Sequence, residues 1–448
     1  MNIILIVSDT FRRDHLDCYG DQSVQTPNLD ALARRSVVFD RYYAASFPTM
    51  PARADCVTGK WTFTYMTWEP LSSAESPLAQ RLAEKGYTTV GVVDTPFYTI
   101  GGMGYDRGFQ HFFDMQSQET TFRQFHPPLF KRPRVSEYDY CAPATFTLAE
   151  QCLDRVYDRP FFMLIDTWDP HEPWDPPLWY IRRYRPDYDG RVIVPPYGHM
   201  RDHNVSQEDL EIGHDCYKAE VTMVDRWIGR LLERVDSLGI ADETAVIFVT
   251  DHGYYFGEHD MFGKLNRRTG TKLAPGWLRS PLYEEVVRIP LLVHVPGVLA
   301  QRVSKLVSAV DLMPTILDIA GVDPVDGPPI HGRSLLPHIR GQEALGREFV
   351  VSGVPLINVG QPLAVVDNVF REVEEFQPVT ITTERWSLLF SAAGEPVELY
   401  DLAKDPQQVV NVAADCPDVV RQLHARYVEL LIECGTAPAL LEPRRSLS

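Results

Sequence analysis

The chain of 448 residues exceeds the roughly 250–300 residues at which a single hydrophobic core stops growing, which predicts one large unit and one smaller one. Its 44% hydrophobic and 23% charged residues are ordinary for a globular protein, and no apolar run approaches the about 18 residues of a membrane span. A formal net charge of −18 excludes a nucleic-acid surface and an anionic membrane surface as partners. The seven cysteines are scattered and form no CxxC pair, which fits a reducing compartment. The opening MNIILIVSDT has too short an apolar run for an export segment and meets Asp9 at once, so the expected location is cytoplasmic.

In chain order, residues 3–7 (IILIV) read as a strand buried on both faces. The run ends in Ser8-Asp9-Thr10, which puts Asp9 at the C-terminal end of a strand, where open α/β sheets bind ligands. A helix is expected over 26–36, opened by Thr-Pro-Asn, and another over 78–86, closed by Gly86; 88–93 (TTVGVV) is the next strand. A helix over 144–157 precedes strand 161–166. The helix over 217–235 repeats Tyr217, Val221, Val224, Ile228, Leu231 and Val235 at steps of four and three, and strand 245–251 follows it. Strand 289–295 and helix 308–321 continue the alternation. Strands alternating with helices predict an α/β fold, a doubly wound, mostly parallel sheet flanked by helices.

From about residue 345 the rhythm changes. Segments 349–354, 379–390 and 396–402 read as strands with few helices between them, and a helix spans 417–432. The expected division is a large α/β domain at 1–344 and a smaller C-terminal antiparallel α+β subdomain, with one covering helix, at 345–448. Stretches 115–143 and 264–281 are long and irregular, as functional loops often are.

Two strand ends carry acids. Asp9 closes the first, and Asp251-His252-Gly253 closes AVIFVT; an aspartate and a neutral histidine are ligands for a divalent cation. Taken alone, DHG is weak, because many strands end in Asp for turn reasons. The segment SFPTMPARADCVTGK (46–60) sets the Thr49 hydroxyl four residues before Arg53. If Arg53 lies in the first turns of a helix, both reach one anion at a positively polarised helix end. Alone, the plainer reading is Thr49 as a helix cap and Arg53 as a solvated side chain.

Together these segments resemble the sulfatase family of the alkaline-phosphatase superfamily. The sulfatase signature of Cys or Ser, any residue, Pro, any residue, Arg, and a later Thr-Gly stands here as Thr49, Pro51, Arg53 and Thr58-Gly59. DTFRRDHLDCYG (9–20), TPNLDALA (26–33), VTDHGYYFGEHDMFGK (249–264), YEEVVRIPLLVHVPG (283–297), SAVDLMPTILDIAGV (308–322) and ELYDLAKDPQQVVNVA (398–413) follow as further landmarks in family order.

The resemblance implies an ester hydrolase with Asp9, Thr49, Asp251 and His252 as metal ligands. It implies that Thr49 is the nucleophile, that Arg53 and Lys264 hold the transferred group, and that His171, in DTWDPHEPW, serves the leaving group. Read without it, His171 is a structural loop histidine. Thr10, Glu258 and His259 are candidates to orient a ligand from behind.

Three departures shape the expectation. A threonine cannot become the formylglycine aldehyde, because its Cβ already carries a methyl group, so no formylglycine is expected. Thr49 resembles instead the threonine nucleophiles of phosphoryl-handling members of the superfamily. Thr10 stands where a second acidic ligand is usual. Val93-Asp94-Thr95-Pro96 replaces a Gly-Lys-Trp-His stretch, and Asp94 would repel an anion unless paired.

The expected activity is therefore metal-dependent cleavage of a phosphate or phosphonate ester through a covalent Thr49 intermediate. The alternatives are a sulfuric ester hydrolase and a non-catalytic sulfatase-fold binding protein. The expected cofactor is one divalent ion, Mg²⁺, Ca²⁺ or Mn²⁺, with Zn²⁺ next. The expected partner is a small anionic ester, with no nucleic acid and no membrane; a homo-oligomer is left open.

Overall fold

The strand expected at 3–7 is β1 (Asn2–Ser8), and all seven of its residues are buried. Its side chains divide by alternation. Ile3, Leu5 and Val7 enter one hydrophobic core, while Ile4 and Ile6 enter another on the opposite face of the sheet. The computed structural model describes the chain apart from residues 21, 96, 99–101, 116–135, 268–276, 325, 326, 328, 358–375 and 448. Pro96 and parts of both long irregular stretches lie outside the described residues.

The main elements that follow are α1 (Pro27–Ala33), β2 (Val37–Tyr43), α2 (Thr49–Thr58), α3 (Leu78–Glu84), β3 (Thr88–Val93), β4 (His111–Asp114), α4 (Cys141–Val156), β5 (Phe161–Thr167), α5 (Gln207–Ser237), β6 (Thr244–Val249), β7 (Arg288–Ile289), β8 (Leu291–His294), β9 (Gln301–Ser308) and α6 (Leu312–Ile319). The sheet runs β9, β2, then β7 with β8, then β6, β1, β5, β3, β4. Helices α1, α4 and α5 cover one face; α2, α3 and α6 cover the other. This is the doubly wound, mostly parallel arrangement that the strand–helix alternation predicts.

Three details differ from the sequence reading. β7 and β8 form one strand interrupted at Pro290, and it runs antiparallel to both β2 and β6. The chain leaves the C-terminal end of β6 and returns from that same edge without a long crossover helix, which a parallel neighbour would require. β2 and β9, which pair with each other in parallel, were not expected as strands. Helix α5 begins ten residues before the expected start, where Ser206 caps it by accepting from the Asp209 amide at 3.0 Å.

Beyond the sheet, β10 (Val350–Gly353), β11 (Val379–Thr382), β12 (Trp386–Phe390) and β13 (Glu398–Asp401) form an antiparallel sheet in chain order. The single strand expected over 379–390 is thus a hairpin, turned where the Thr383 amide donates to the Trp386 carbonyl at 2.8 Å. Helix α7 (Pro417–Glu433) covers this sheet, with Tyr427 against Phe390 at 6.1 Å between ring centroids. Val351, Ile381, Leu388 and Tyr427 belong to the same continuous core as Ile3 and Leu5.

The Phe47 amide donates to the Gly353 carbonyl at 2.9 Å and the Gly353 amide to the Ala45 carbonyl at 2.8 Å, so β10 grips the loop that enters α2. The described residues form no disulfide. Among the described residues no helix is long and apolar enough to cross a membrane.

Candidate active site

β1 and β6 are parallel neighbours, with Val7 opposite Val249, so Asp9 and Asp251 leave the sheet side by side at its C-terminal edge. One ligand atom each from Asp9, Asp251 and His252 lies within 4.8 Å of the others, and all three residues are buried. The turn after β6 must pass against a neighbouring backbone: a Cβ at Gly253 would sit 2.0 Å from the Glu285 carbonyl oxygen, and the Gly253 amide donates to the Val286 carbonyl at 2.8 Å.

His252 Nδ1 lies 3.0 Å from the Gly253 carbonyl, which fixes the proton on Nδ1 and turns the Nε2 lone pair toward the carboxylates. Nε2 and Asp9 Oδ2 are buried and accept no hydrogen bond from the described residues. Two acids and an imidazole with orphaned acceptor atoms fit a divalent cation.

The electrostatics agree. Burial, then the neighbouring Asp251, pushes the Asp9 carboxyl well above its usual range. For Asp251 burial acts in the same direction, but the cations around it, Arg53 and Lys264 among them, outweigh it and hold the carboxyl low. Burial holds the His252 imidazole down to about 3, in the neutral form that binds metals.

Thr10 stiffens this edge. It is a β-branched residue at φ 60, in the left-handed region such residues avoid. Its amide donates to Asp251 Oδ1 at 3.0 Å and its hydroxyl to Asp9 Oδ1 at 2.6 Å, so it aligns both carboxylates. Tyr217 of α5 holds that backbone in place, donating to the Thr10 carbonyl at 2.9 Å and accepting from the Arg12 amide at 2.7 Å.

Thr49 is the first residue of α2 and is buried. Asp55, six residues on in the same helix, accepts from the Ser46 amide at 2.6 Å and the Thr62 amide at 2.8 Å, closing the entry loop onto the helix. Arg53 is 2% exposed, which rules out the solvated reading. Its Nη1 donates to the Thr49 carbonyl at 3.2 Å and to Asp251 Oδ2 at 2.7 Å; its Nη2 lies 3.1 Å from Asp9 Oδ2. One guanidinium therefore joins the start of α2 to both acids.

Lys264 and His171 complete the arrangement. Lys264 Nζ donates to Thr10 Oγ1 at 3.3 Å and lies 3.8 Å from Glu172 Oε1. His171 stacks on Trp168 at 3.8 Å, with Nδ1 2.7 Å from the Glu172 carbonyl. Burial, then the Lys264 charge, pushes its pKa well below the ordinary imidazole value. In the substrate-free protein His171 is a neutral imidazole with its proton on Nδ1, so Nε2 accepts a proton.

Glu258 and His259 are engaged elsewhere. Glu258 pairs with Arg12 at 2.6 Å and accepts from the Phe256 amide at 2.6 Å. His259 stacks on Tyr283 at 3.8 Å, with Nε2 3.5 Å from Glu285. Asp94 pairs with no cation among the described residues; it accepts from the hydroxyls of Thr145 at 2.7 Å and Thr167 at 3.0 Å and from the Trp168 amide.

Two acids escaped the sequence reading, Asp166 on Arg53 and Glu172 beside His171 and Lys264. Asp166 carries the strand-end signal that singled out Asp9 and Asp251.

Comparison with known proteins follows the same lines. The sulfatase family profile matches residues 1–322. The chain is 26% identical to an ulvan-active sulfatase of Formosa agariphila, covering 91% of this chain and 78% of that protein. It is 23% identical to an arylsulfatase of Clostridium perfringens, covering 92% and 90%. A phosphonate monoester hydrolase of Agrobacterium radiobacter superimposes with a TM-score of 0.75 at 23% identity, covering 97% of this chain and 96% of that one. A profile matched over most of the chain, on a fold whose parallel neighbours β1 and β6 bring Asp9 and Asp251 together, shows that this chain belongs to the sulfatase family of ester hydrolases, in the alkaline-phosphatase superfamily.

Proposed function

We propose that this ester hydrolase cleaves a phosphate or phosphonate ester through a covalent ester on the Thr49 hydroxyl. The observation that carries the reading is Thr49 itself, an alcohol that cannot be oxidised to an aldehyde where the family keeps an aldehyde precursor, tied through Arg53 to Asp9 and Asp251. Sulfate esters are the second reading, favoured by the curated relatives, both sulfatases.

Enzymes of this family use a bound metal ion. Here Asp9, Asp251, His252 and the Thr49 hydroxyl would hold it, with Mg²⁺, Ca²⁺ or Mn²⁺ suited to the oxygen-rich set and Zn²⁺ next. Bound there, a divalent cation polarises an ester oxygen and lowers the pKa of an adjacent hydroxyl.

The protein's groups do the rest. Thr49 Oγ1 bonds to phosphorus as the bond to the leaving oxygen breaks, and the hydroxyl proton passes to that oxygen, which departs as the alcohol. Lys264 has N–H groups to spare beyond its contact with Thr10, and it meets the charge on the equatorial oxygens. Water then attacks phosphorus, His171 Nε2 takes its proton and returns it to Thr49 Oγ1 as that oxygen departs, which restores both groups.

A formylglycine hydrate can expel sulfate through its second hydroxyl; threonine has no second hydroxyl, so its ester must be opened at phosphorus or sulfur. Matched aryl phosphonate, phosphodiester, phosphate monoester and sulfate substrates, each assayed with several divalent metals, test the reading. Phosphoryl or phosphonyl turnover should exceed sulfate turnover; faster sulfate cleavage would transfer the assignment to the second reading.

A further inference from the structure

Arg53 carries five N–H groups, and the protein uses all of them. Nε donates to Asp166 Oδ2 at 2.8 Å. Nη1 serves the Thr49 carbonyl and Asp251. Nη2 donates to Asp166 Oδ1 at 2.7 Å and to Thr95 Oγ1 at 3.3 Å, with Asp9 Oδ2 at ion-pair distance, 3.1 Å. The partner taking two of the five, Asp166, is fully buried at the end of β5. Its Oδ1 also accepts from the Thr95 hydroxyl at 2.8 Å, and its Oδ2 from the Tyr98 hydroxyl. Such a two-point carboxylate contact fixes a guanidinium in both direction and plane.

We propose that Asp166 is a positioning residue that withholds Arg53 from the substrate. It holds the motif arginine as a brace for Thr49, Asp9 and Asp251 and leaves recognition of the anionic group to Lys264. The charges point the same way. Asp9, Asp166 and Asp251 surround Arg53 with three carboxylates, so its single positive charge is spent before a substrate arrives. Lys264 also acts on Asp9 and Asp251 through space, but the one carboxylate within 4.0 Å of it among the described residues is Glu172, at 3.8 Å, and it makes one hydrogen bond there. The inference rests on reading this site as one for an anionic ester.

Calorimetric binding of inorganic sulfate to the metal-supplemented whole protein, run beside the ester turnover assay, tests it. Asp166→Asn keeps the size of the side chain and removes its charge, which frees Arg53. Sulfate should bind about tenfold tighter to this variant while kcat falls, because α2 and the acids lose their brace. A merely structural acid would leave binding unchanged or weakened, and that result in a folded variant overturns the proposal.

Lys264→Gln keeps the test decisive if Asp166→Asn does not fold. It should weaken sulfate binding about tenfold, whereas retention within about threefold would return the anion to Arg53 and overturn the assignment. Tighter sulfate binding by Asp166→Asn in a protein that turns over no ester would uphold the role of Asp166 and remove the proposed function.

Discussion

The Phe47 amide donates to the Gly353 carbonyl at 2.9 Å, so the first strand of the C-terminal sheet holds the loop two residues before Thr49. The Ser352 hydroxyl adds a bond to the Ala44 carbonyl. We propose that residues 345–448 act as a supporting subdomain for the nucleophile. Gly353 has no room for a side chain: a Cβ would lie 3.0 Å from Phe63 and 3.2 Å from Val379. Gly353→Val should leave a folded protein, destabilised by about 1–3 kcal/mol in thermal unfolding, and shift the loop enough to lower kcat by about 10²-fold. A chain ended at residue 344 should fail to fold, because it exposes the shared core; a stable, fully active truncation would contradict the supporting role.

Removal of metal should abolish turnover. Exhaustive chelation, followed by elemental analysis and add-back, should show one divalent ion per active chain. Asp9→Asn or Asp251→Asn should lose that ion while the sheet persists. A bound ion at a hundred times its dissociation constant adds about 2.7 kcal/mol of stability, so the melting temperature should fall on chelation. Unchanged activity in chelator would refute metal dependence.

Asp94 makes a prediction about pH. Burial, then the nearby Asp169, pushes its carboxyl up to about 8, while the unfolded chain titrates near the ordinary value. Between those values the folded protein holds a proton that the unfolded chain has lost. Stability is therefore fully present below the unfolded value and declines as pH rises toward 8, by up to about 1.4 kcal/mol per pH unit from this group. Asp94→Asn mimics the neutral acid. It should match the parent only below the ordinary carboxyl range, at about pH 3, and exceed it in denaturant unfolding by a margin that grows toward pH 8. Equal pH slopes for the two proteins would show that Asp94 is ionised.

Lys264 is expected to act on charge that develops during reaction. Lys264→Ala should lower kcat/KM by about 10²–10³-fold, the usual effect of removing one stabilising donor, with the melting temperature little changed. A loss below about fivefold would place the charge elsewhere.

The sequence showed the parts of this molecule that have a local cause. IILIV is long and apolar enough to be a strand buried on both faces, and its end located Asp9; AVIFVTDHG did the same for Asp251 and His252. What escaped depends on partners distant in the chain. The antiparallel course of Arg288–His294 follows from where the chain returns to the sheet. β9 alternates at an edge and carries little apolar signal. Asp166 looked like an ordinary strand-end acid until the fold set it on Arg53, 113 residues away. The burial that makes His171 neutral is likewise a property of the folded site.

The central claim is that the Thr49 oxygen carries the transferred group. A reaction with an aryl phosphonate monoester, quenched during turnover and digested, tests it by mass spectrometry of the peptide containing residue 49. The account predicts an unmodified threonine before substrate, the phosphonyl mass on that threonine during turnover, and neither adduct nor catalysis in Thr49→Ala, with kcat reduced by at least about 10⁴-fold. A Thr49→Ala protein with turnover near that of the parent, or an adduct on another residue, would contradict it.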